Sequence, residues 1–371
     1  MRFLITCCQA DISKEDRIFL HSYLTQSIDI GIVMDLANQH GVTPIIYKKL
    51  QSIDSQNSNL LSDLKQRYSS IAQINMMMSA ELIRLMKIFG ESSIEALAFK
   101  GPTLSKMLYG DITLRQFGDL DILIQKKDIY RIDSILKSQG YERIFTLSTT
   151  QEKVWIKHMH DIGYVHSSKG ILLEMHWSFL DEDYPLQVQL EDFWNERQEV
   201  DILGHTLSTF STENMLLYLS IHGSKHLWKR IEWIKDLDVL IRKSVIDWDI
   251  LVQKITNRGF EKMVYLGLYL SYLLFDTPLP KVILEKIENH SEIDDTVQFI
   301  VDSWQYPKGN YSDSIIMLKL FPGFKEKILY LHKVIIKPSR SEYNYIDFPK
   351  SLYFLYYFVR PYLLIKKYFK G

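Results

Sequence analysis

Arg115-Gln-Phe-Gly-Asp-Leu-Asp-Ile-Leu-Ile124 decides how the chain is read, because it sets two carboxylates one residue apart at the head of an apolar run. A strand repeats its side-chain direction every two residues. Asp119 and Asp121 therefore point to one face, while Leu120, Ile122 and Ile124 take the other and are expected to be buried. Carboxylates held side by side repel unless a cation lies between them, and oxygen ligands of this kind suit Mg²⁺. Gly118 leaves room for a loop or a phosphate to approach the backbone. The pattern is the metal-binding half of a phosphoryl-transfer site.

Upstream, residues 96–99 read as a short buried strand closed by Lys100-Gly101-Pro102, and residues 103–109 as a helix with Pro102 suited to its first turn. Backbone N–H groups and the helix dipole at such a junction favour phosphate oxygens, with Lys100, Thr103 and Ser105 as further donors. Taken alone, Lys-Gly-Pro is more often an ordinary turn. Downstream, residues 128–139 predict an amphipathic helix stopped by Gly140. Residues 141–145, 163–166 and 171–177 alternate as strands. On the last of these Leu172, Glu174 and His176 share a face, and an acid in the middle of an apolar strand is costly to bury unless it is paired or metal-bound. That cost singles out Glu174 as the third carboxylate that a two-metal site needs; a structural salt bridge is the competing reading.

The flanks are helical by period. Ile18, Leu20, Tyr23 and Leu24, then Val33, Leu36 and Ala37, then Leu64, Tyr68, Ile71 and Ile74 recur at helical spacing, with Ser62-Asp63 placed to cap a long segment over 64–89. Met76-Met77-Met78 reads as core filler. Further helices are expected over 212–228, 231–242, 248–257, 262–274 and 281–289, and on to the end. The expected fold class is α+β: a helical region over 1–90, a mixed α/β domain over 91–185 and a helical region over 186–371. There is no internal repeat and no low-complexity linker.

Composition narrows the partners. Lys and Arg (44) against Asp and Glu (45) give a net charge of −1, so the whole chain advertises no polyanion, and no basic stripe with interleaved aromatics crosses the α/β block to suggest nucleic acid. The charge is unevenly placed. Residues 321–371 hold ten Lys or Arg against three acids, +7, which leaves −8 for residues 1–320. Cys7 and Cys8 are neighbours, a strained geometry for a bridge, and two thiols make no disulfide framework. The apolar opening is too short for a secretory signal, so a reduced, cytoplasmic setting is expected. Residues 352–365 are rich in Tyr, Phe and Leu but are interrupted by Arg360-Pro361, short of the roughly 20 apolar residues of a span. A buried C-terminal helix pair is the expected reading; the alternative is weak contact with a membrane surface, with Lys366, Lys367 and Lys370 at its edge.

In chain order, Lys100-Gly101, Tyr109, Arg115, Gly118-Asp119-Leu120-Asp121, Glu174-Met175-His176-Trp177 and His222-Gly-Ser-Lys225-His226 resemble the DNA polymerase β-like nucleotidyltransferase superfamily. Within it they are most similar to the large bacterial family of uncharacterised nucleotidyltransferases found in polysaccharide and peptide-modification gene clusters. The resemblance covers roughly residues 90–240. Two departures stand out: no Ser follows Gly101, where the superfamily at large has Gly-Ser, and Glu174 replaces the usual Asp. The resemblance implies a polymerase β-like mixed sheet with helices. It further implies that Asp119, Asp121 and Glu174 are catalytic and hold Mg²⁺, with Mn²⁺ as the alternative. Lys100, Gly101, Thr103, Arg115, Gly118, His176 and Lys225 would contact the nucleotide, Arg115 or Lys225 balancing phosphate charge. The reaction implied is transfer of an NMP from an NTP to a hydroxyl or phosphate of a small molecule, peptide or protein, in line at the α-phosphate with release of pyrophosphate.

His222 and His226 stand four apart on a predicted helix, but no third zinc ligand accompanies them. Asp236 and Asp238 fall two apart on a helix, on different faces, and read as structural. Trp228, Trp233 and Trp248 read as interhelical packing. Two other functions compete with an active transferase: a non-catalytic nucleotide- or partner-binding protein that keeps the fold, and a membrane-peripheral transferase working on a lipid-linked acceptor.

Overall fold

The computed structural model describes residues 1–25, 29–53, 58–305, 310–338 and 340–368. Helices α1 (Arg2–Cys8), α2 (Lys14–Thr25), α3 (Ile30–Gln39), α4 (Thr43–Ser52) and α5 (Ser58–Glu91) lead into the sheet region. There β1 (Ala96–Ala98), α6 (Gly101–Tyr109), β2 (Asp119–Ile124), α7 (Ile129–Ser138) and β3 (Tyr141–Arg143) come first. They are followed by α8 (Thr149–His158), β4 (Asp161–His166), β5 (Leu172–His176) and α9 (Leu190–Asn195). A hairpin of β6 (Arg197–Ile202) and β7 (His205–Phe210) precedes α10 (Thr212–Lys225), α11 (Ile231–Lys243), α12 (Trp248–Thr256) and α13 (Glu261–Phe275). The chain continues through α14 (Lys281–Glu288), α15 (Glu292–Gln305), α16 (Asn310–Lys319), α17 (Phe324–Ile335), α18 (Arg340–Tyr345) and α19 (Tyr356–Tyr368).

The five-stranded sheet runs β1-β2-β5-β4-β3, with β2 and β5 parallel and the other neighbours antiparallel. The expected mixed α+β class is the one observed. Leu120, Ile122 and Ile124 are buried as their alternation demands, and pack with Leu82, Leu85 and Phe89 of α5 and Ile132 and Leu136 of α7. A second core joins the N-terminal helices to those that follow the hairpin: Leu4 and Cys7 of α1 and Ile46 of α4 cluster with residues of α10, α11 and α13. Both cysteines are free and buried there. Trp228 is fully buried between α10 and α13. A Cβ on Gly223 or Gly267 would come within 2.5 Å of its ring, so both positions must be glycine for the helices to close on it.

Several expectations fail for identifiable reasons. Ser62 and Asp63 do not cap a helix, because α5 already runs from Ser58 and carries them in its interior. Helix α8 was not foreseen, although Ser148-Thr-Thr-Gln151 forms a complete capping box at its start. The hairpin lies inside the region expected to be helical throughout; its two-residue turn, Leu203-Gly204, has positive φ at both positions, as a type I′ turn requires. The expected buried C-terminal helix pair over 352–365 is buried only at Tyr356, whereas Phe354, Phe358, Tyr362 and Ile365 are exposed; the preceding α17 has no buried residue. Lys370, placed at the edge of that tail, lies outside the described residues.

Candidate active site

Strand register assembles the site. Pairing Asp121 with Glu174 and Leu123 with His176 on β2 and β5 sets the even spacing of both strands on one face. Antiparallel β4 adds Asp161 opposite His176 and Gly163 opposite Glu174. Four acids and one histidine therefore share a sheet surface: Asp119, Asp121, Glu174, Asp161 and His176. The turn from β1 into α6 runs beside it. Gly101 adopts φ +54°, and a Cβ there would sit 3.3 Å from the Asp119 carbonyl, so the chain can pass this close only as glycine.

Asp121 lies at the centre, with its side chain fully buried. Its Oδ1 accepts from Lys100 Nζ at 3.2 Å and from His176 Nε2 at 3.1 Å. His176 Nε2 also lies 3.4 Å from Glu174 Oε2. Burial alone would raise the Asp121 carboxyl, but the Lys100 ammonium and the His176 hydrogen bond outweigh it and hold the pKa near 2. Burial likewise opposes charge on His176, yet its bonds to Asp121 and Glu174 lift it to about 9, and a cation held by this ring would have to displace that proton. Asp119 feels the opposite balance: the neighbouring Asp121 charge, then burial, raises it to about 6.

Asp121 Oδ2 is buried with no hydrogen-bond partner. A carboxylate oxygen in that state is strongly unfavourable unless a cation or donor reaches it. One ligand atom each from Asp121, Glu174 and His176 falls within 4.8 Å of the others, a spacing that fits a divalent cation. His176 thus joins the expected carboxylates, while Asp119, expected as a metal ligand, stands outside that tight group on the same face.

A cavity of about 270 Å³ opens above these residues, with Lys100, Glu174 and His176 on one side. The rest of the lining includes one face of α10, where Tyr218, Ile221, His222, Lys225 and His226 recur at helical spacing and Tyr218 has its ring centroid 5.5 Å from Lys100 Nζ. Lys225 Nζ donates to the Phe179 carbonyl at 3.1 Å, and burial pulls its pKa down to about 8. Burial also pushes His222 well below its usual range, and its ring lies 5.1 Å from Trp233. A second cavity of about 270 Å³ shares His160 and Asp161 with the first and is closed by Lys333, Lys337 and Arg360. At the boundary between them His160 Nδ1 lies 2.6 Å from Asp181, which also pairs with Lys333.

Some of the residues picked out in the sequence lie elsewhere. Arg115 does not line the cavity. It is buried, with Nε 2.9 Å from Asp236 Oδ2, and Tyr109 donates to the same carboxylate at 3.1 Å. Thr103 is buried in the first turn of α6 with its hydroxyl unpartnered, and Gly118 is exposed with open space around it. Asp236 and Asp238 are structural, as read: Asp238 pairs with Lys235 and Arg242. Asp161, His160 and Tyr218 were missed. The period-2 pattern reaches Asp161, two residues ahead of the strand expected over 163–166, and Tyr218 is one turn before His222 on the same helical face.

The family model described as "Uncharacterised nucleotidyltransferase" matches residues 26–276. No curated protein matches the chain. Among solved structures, the lincomycin-bound lincosamide antibiotic adenylyltransferase LnuA is similar at 16% identity, over 43% of this chain and 94% of that one, with a TM-score of 0.29. An antigenic nucleotidyltransferase-like protein from Paracoccidioides brasiliensis is similar at 17% identity, over 48% of this chain and 85% of that one, with a TM-score of 0.32. Likenesses of this size transfer no residue roles.

Proposed function

The chain belongs to the uncharacterised nucleotidyltransferase family and is a nucleotidyltransferase, and from that premise we propose that it moves an NMP from an NTP to a hydroxyl or phosphate acceptor in the cavity above Asp121. The observation that carries the site assignment is the unpartnered Asp121 Oδ2 within a tight Asp121, Glu174 and His176 cluster. Asp121, Glu174 and His176 would hold a divalent cation, with Asp119 beside them on the same face. Oxygen ligands favour Mg²⁺, while the imidazole nitrogen also admits Mn²⁺. When bound, the cation supplies positive charge against the triphosphate and the leaving pyrophosphate.

The protein's own groups do the rest. Lys100 and Lys225 both line the cavity and would set their positive charge against the phosphates. The α6 start, held against β2 by Gly101, brings backbone N–H groups to the same side. Glu174, whose side chain is 38% exposed, is the acid able to accept the acceptor's proton. As the acceptor oxygen bonds to the α-phosphorus, the bond to the bridging oxygen breaks and pyrophosphate leaves with that electron pair. We place the acceptor in the second cavity, because it meets the first at His160 and Asp161 and is walled partly by residues beyond position 276.

The test is product analysis with each NTP, Mg²⁺ and a small-molecule cell extract as the acceptor source. Release of pyrophosphate, absent in Glu174→Gln, supports the reading. Release of inorganic phosphate alone would mean cleavage at the γ-phosphate and would overturn it.

A further inference from the structure

The C-terminal helices leave their apolar side chains uncovered in an ordered way. On α17, Phe324, Ile328, Leu331 and Ile335 recur at intervals of four, three and four residues, and so fall on one stripe of the helix. That stripe is open to solvent, with Phe324 79% exposed. Lys325 and Lys327 flank it, whereas Lys333 lies on the opposite side of the helix and turns inward to pair with Asp181. On α19, Phe358, Tyr362 and Ile365 form a second exposed stripe, with Phe358 at 69%, and Lys366 stands next to its last member.

We propose that these two stripes dock on an anionic lipid surface. Charge singles out the occupant: within residues 321–371, which carry +7 against −8 for the rest of the chain, Lys333, Lys337 and Arg360 pair inward with Asp181, Asp183 and Glu342, while Lys325, Lys327 and Lys366 stand beside the apolar stripes. A second copy meeting the same stripes would set these lysines against their own counterparts. A bilayer with acidic headgroups would attract the face and hold the acidic body away from it. Phe and Tyr on the apolar stripes with Lys at their margins is the composition that settles in the interface between headgroups and acyl chains. Among the described residues no helix is long and apolar enough to cross a membrane, so contact from these helices would be peripheral. The face lies on helices beyond the family match, which ends at residue 276. It does not depend on the chemistry assigned to the cavity.

The experiment is co-sedimentation of the full chain with vesicles of phosphatidylcholine alone or mixed with phosphatidylglycerol. The expected result is binding to the mixed vesicles only. It weakens as salt rises from about 0.1 M to about 1 M, which shortens screening from about 10 Å to about 3 Å. Lys325→Ala and Lys327→Ala should each weaken it about fivefold. Phe324→Glu combined with Phe358→Glu should abolish it while the melting temperature and NTP binding stay unchanged. Equal binding to neutral vesicles, no binding, or binding that survives the double Glu variant would each overturn the proposal. So would a doubling of mass in light scattering that the double Glu variant removes, since a second copy would then cover the face.

Discussion

Replacing Arg115 separates a structural role from a phosphate-binding one. The guanidinium and Asp236 are 6% and 0% exposed, with Nε 2.9 Å from the carboxylate and a second acid, Glu232, 3.8 Å away. Burial opposes charge on Arg115, but Asp236 and Glu232 hold it protonated well above its usual range. Arg115→Met leaves those acids facing a neutral side chain, and breaking a buried pair from one side costs about 3–5 kcal/mol. For 371 residues melting as one unit, about 2.1 cal/mol/K per residue gives an unfolding entropy near 0.8 kcal/mol/K. The melting temperature should therefore fall by about 4–6 °C in a calorimetric or fluorescence melt. Arg115→Met with Asp236→Leu removes both charges and should recover most of that loss, because an apolar pair of similar volume is often as stable as a buried ion pair. NTP affinity should be unchanged in the double variant. An unaltered melting temperature in Arg115→Met with weakened NTP binding would refute the structural role and return Arg115 to the phosphates.

Three further outcomes follow from the packing and the charges. His40 is fully buried, its Nδ1 accepts from the Ile231 N–H at 3.4 Å, and burial, then Arg230, lowers its pKa to about 4. Because the folded value lies below the unfolded one, this stability is whole above about pH 6.5 and is lost as pH falls toward 4, by about 3 kcal/mol in total. Urea unfolding across that range should flatten in His40→Gln, and an identical slope in the variant would contradict the assignment. Gly267→Ala drives a methyl into the Trp228 ring and should destabilise by about 1–3 kcal/mol in urea unfolding, partly relieved by Trp228→Phe. His176→Ala should weaken divalent-cation binding, followed by the paramagnetic signal of Mn²⁺, by about 10–100-fold, as expected when a ligand or its hydrogen-bond partner is lost.

Local pattern carried much of the fold and part of the site. Alternation through Asp119–Ile124 and around Glu174 is a property of single strands, so it could be read before any pairing was known. The register that brings Asp121 level with Glu174, and adds Asp161 from β4, is set by tertiary packing and has no local signature. The hairpin was hidden because Arg197–Ile202 shows little apolar alternation and its turn is Leu-Gly rather than Asn-Gly or Asp-Gly. Arg115 has the charge and the neighbourhood of a phosphate ligand, and only the approach of α11 reveals Asp236 as its partner. The apolar run of α17 and α19 looks like core in one dimension, since nothing in a helical period says whether another element will cover it.

The central claim is that Asp121 and its neighbours form a cation-dependent NTP site. Its most direct test is the thermal shift of the full chain with ATP, GTP, CTP or UTP, each with and without Mg²⁺, repeated on Asp121→Asn. At about 100 times the dissociation constant, binding adds about 2.7 kcal/mol, a rise of about 3 °C. The account predicts that rise for at least one NTP, only with the metal present, and its loss in Asp121→Asn. An equal rise without metal, or one that survives in Asp121→Asn, would contradict it.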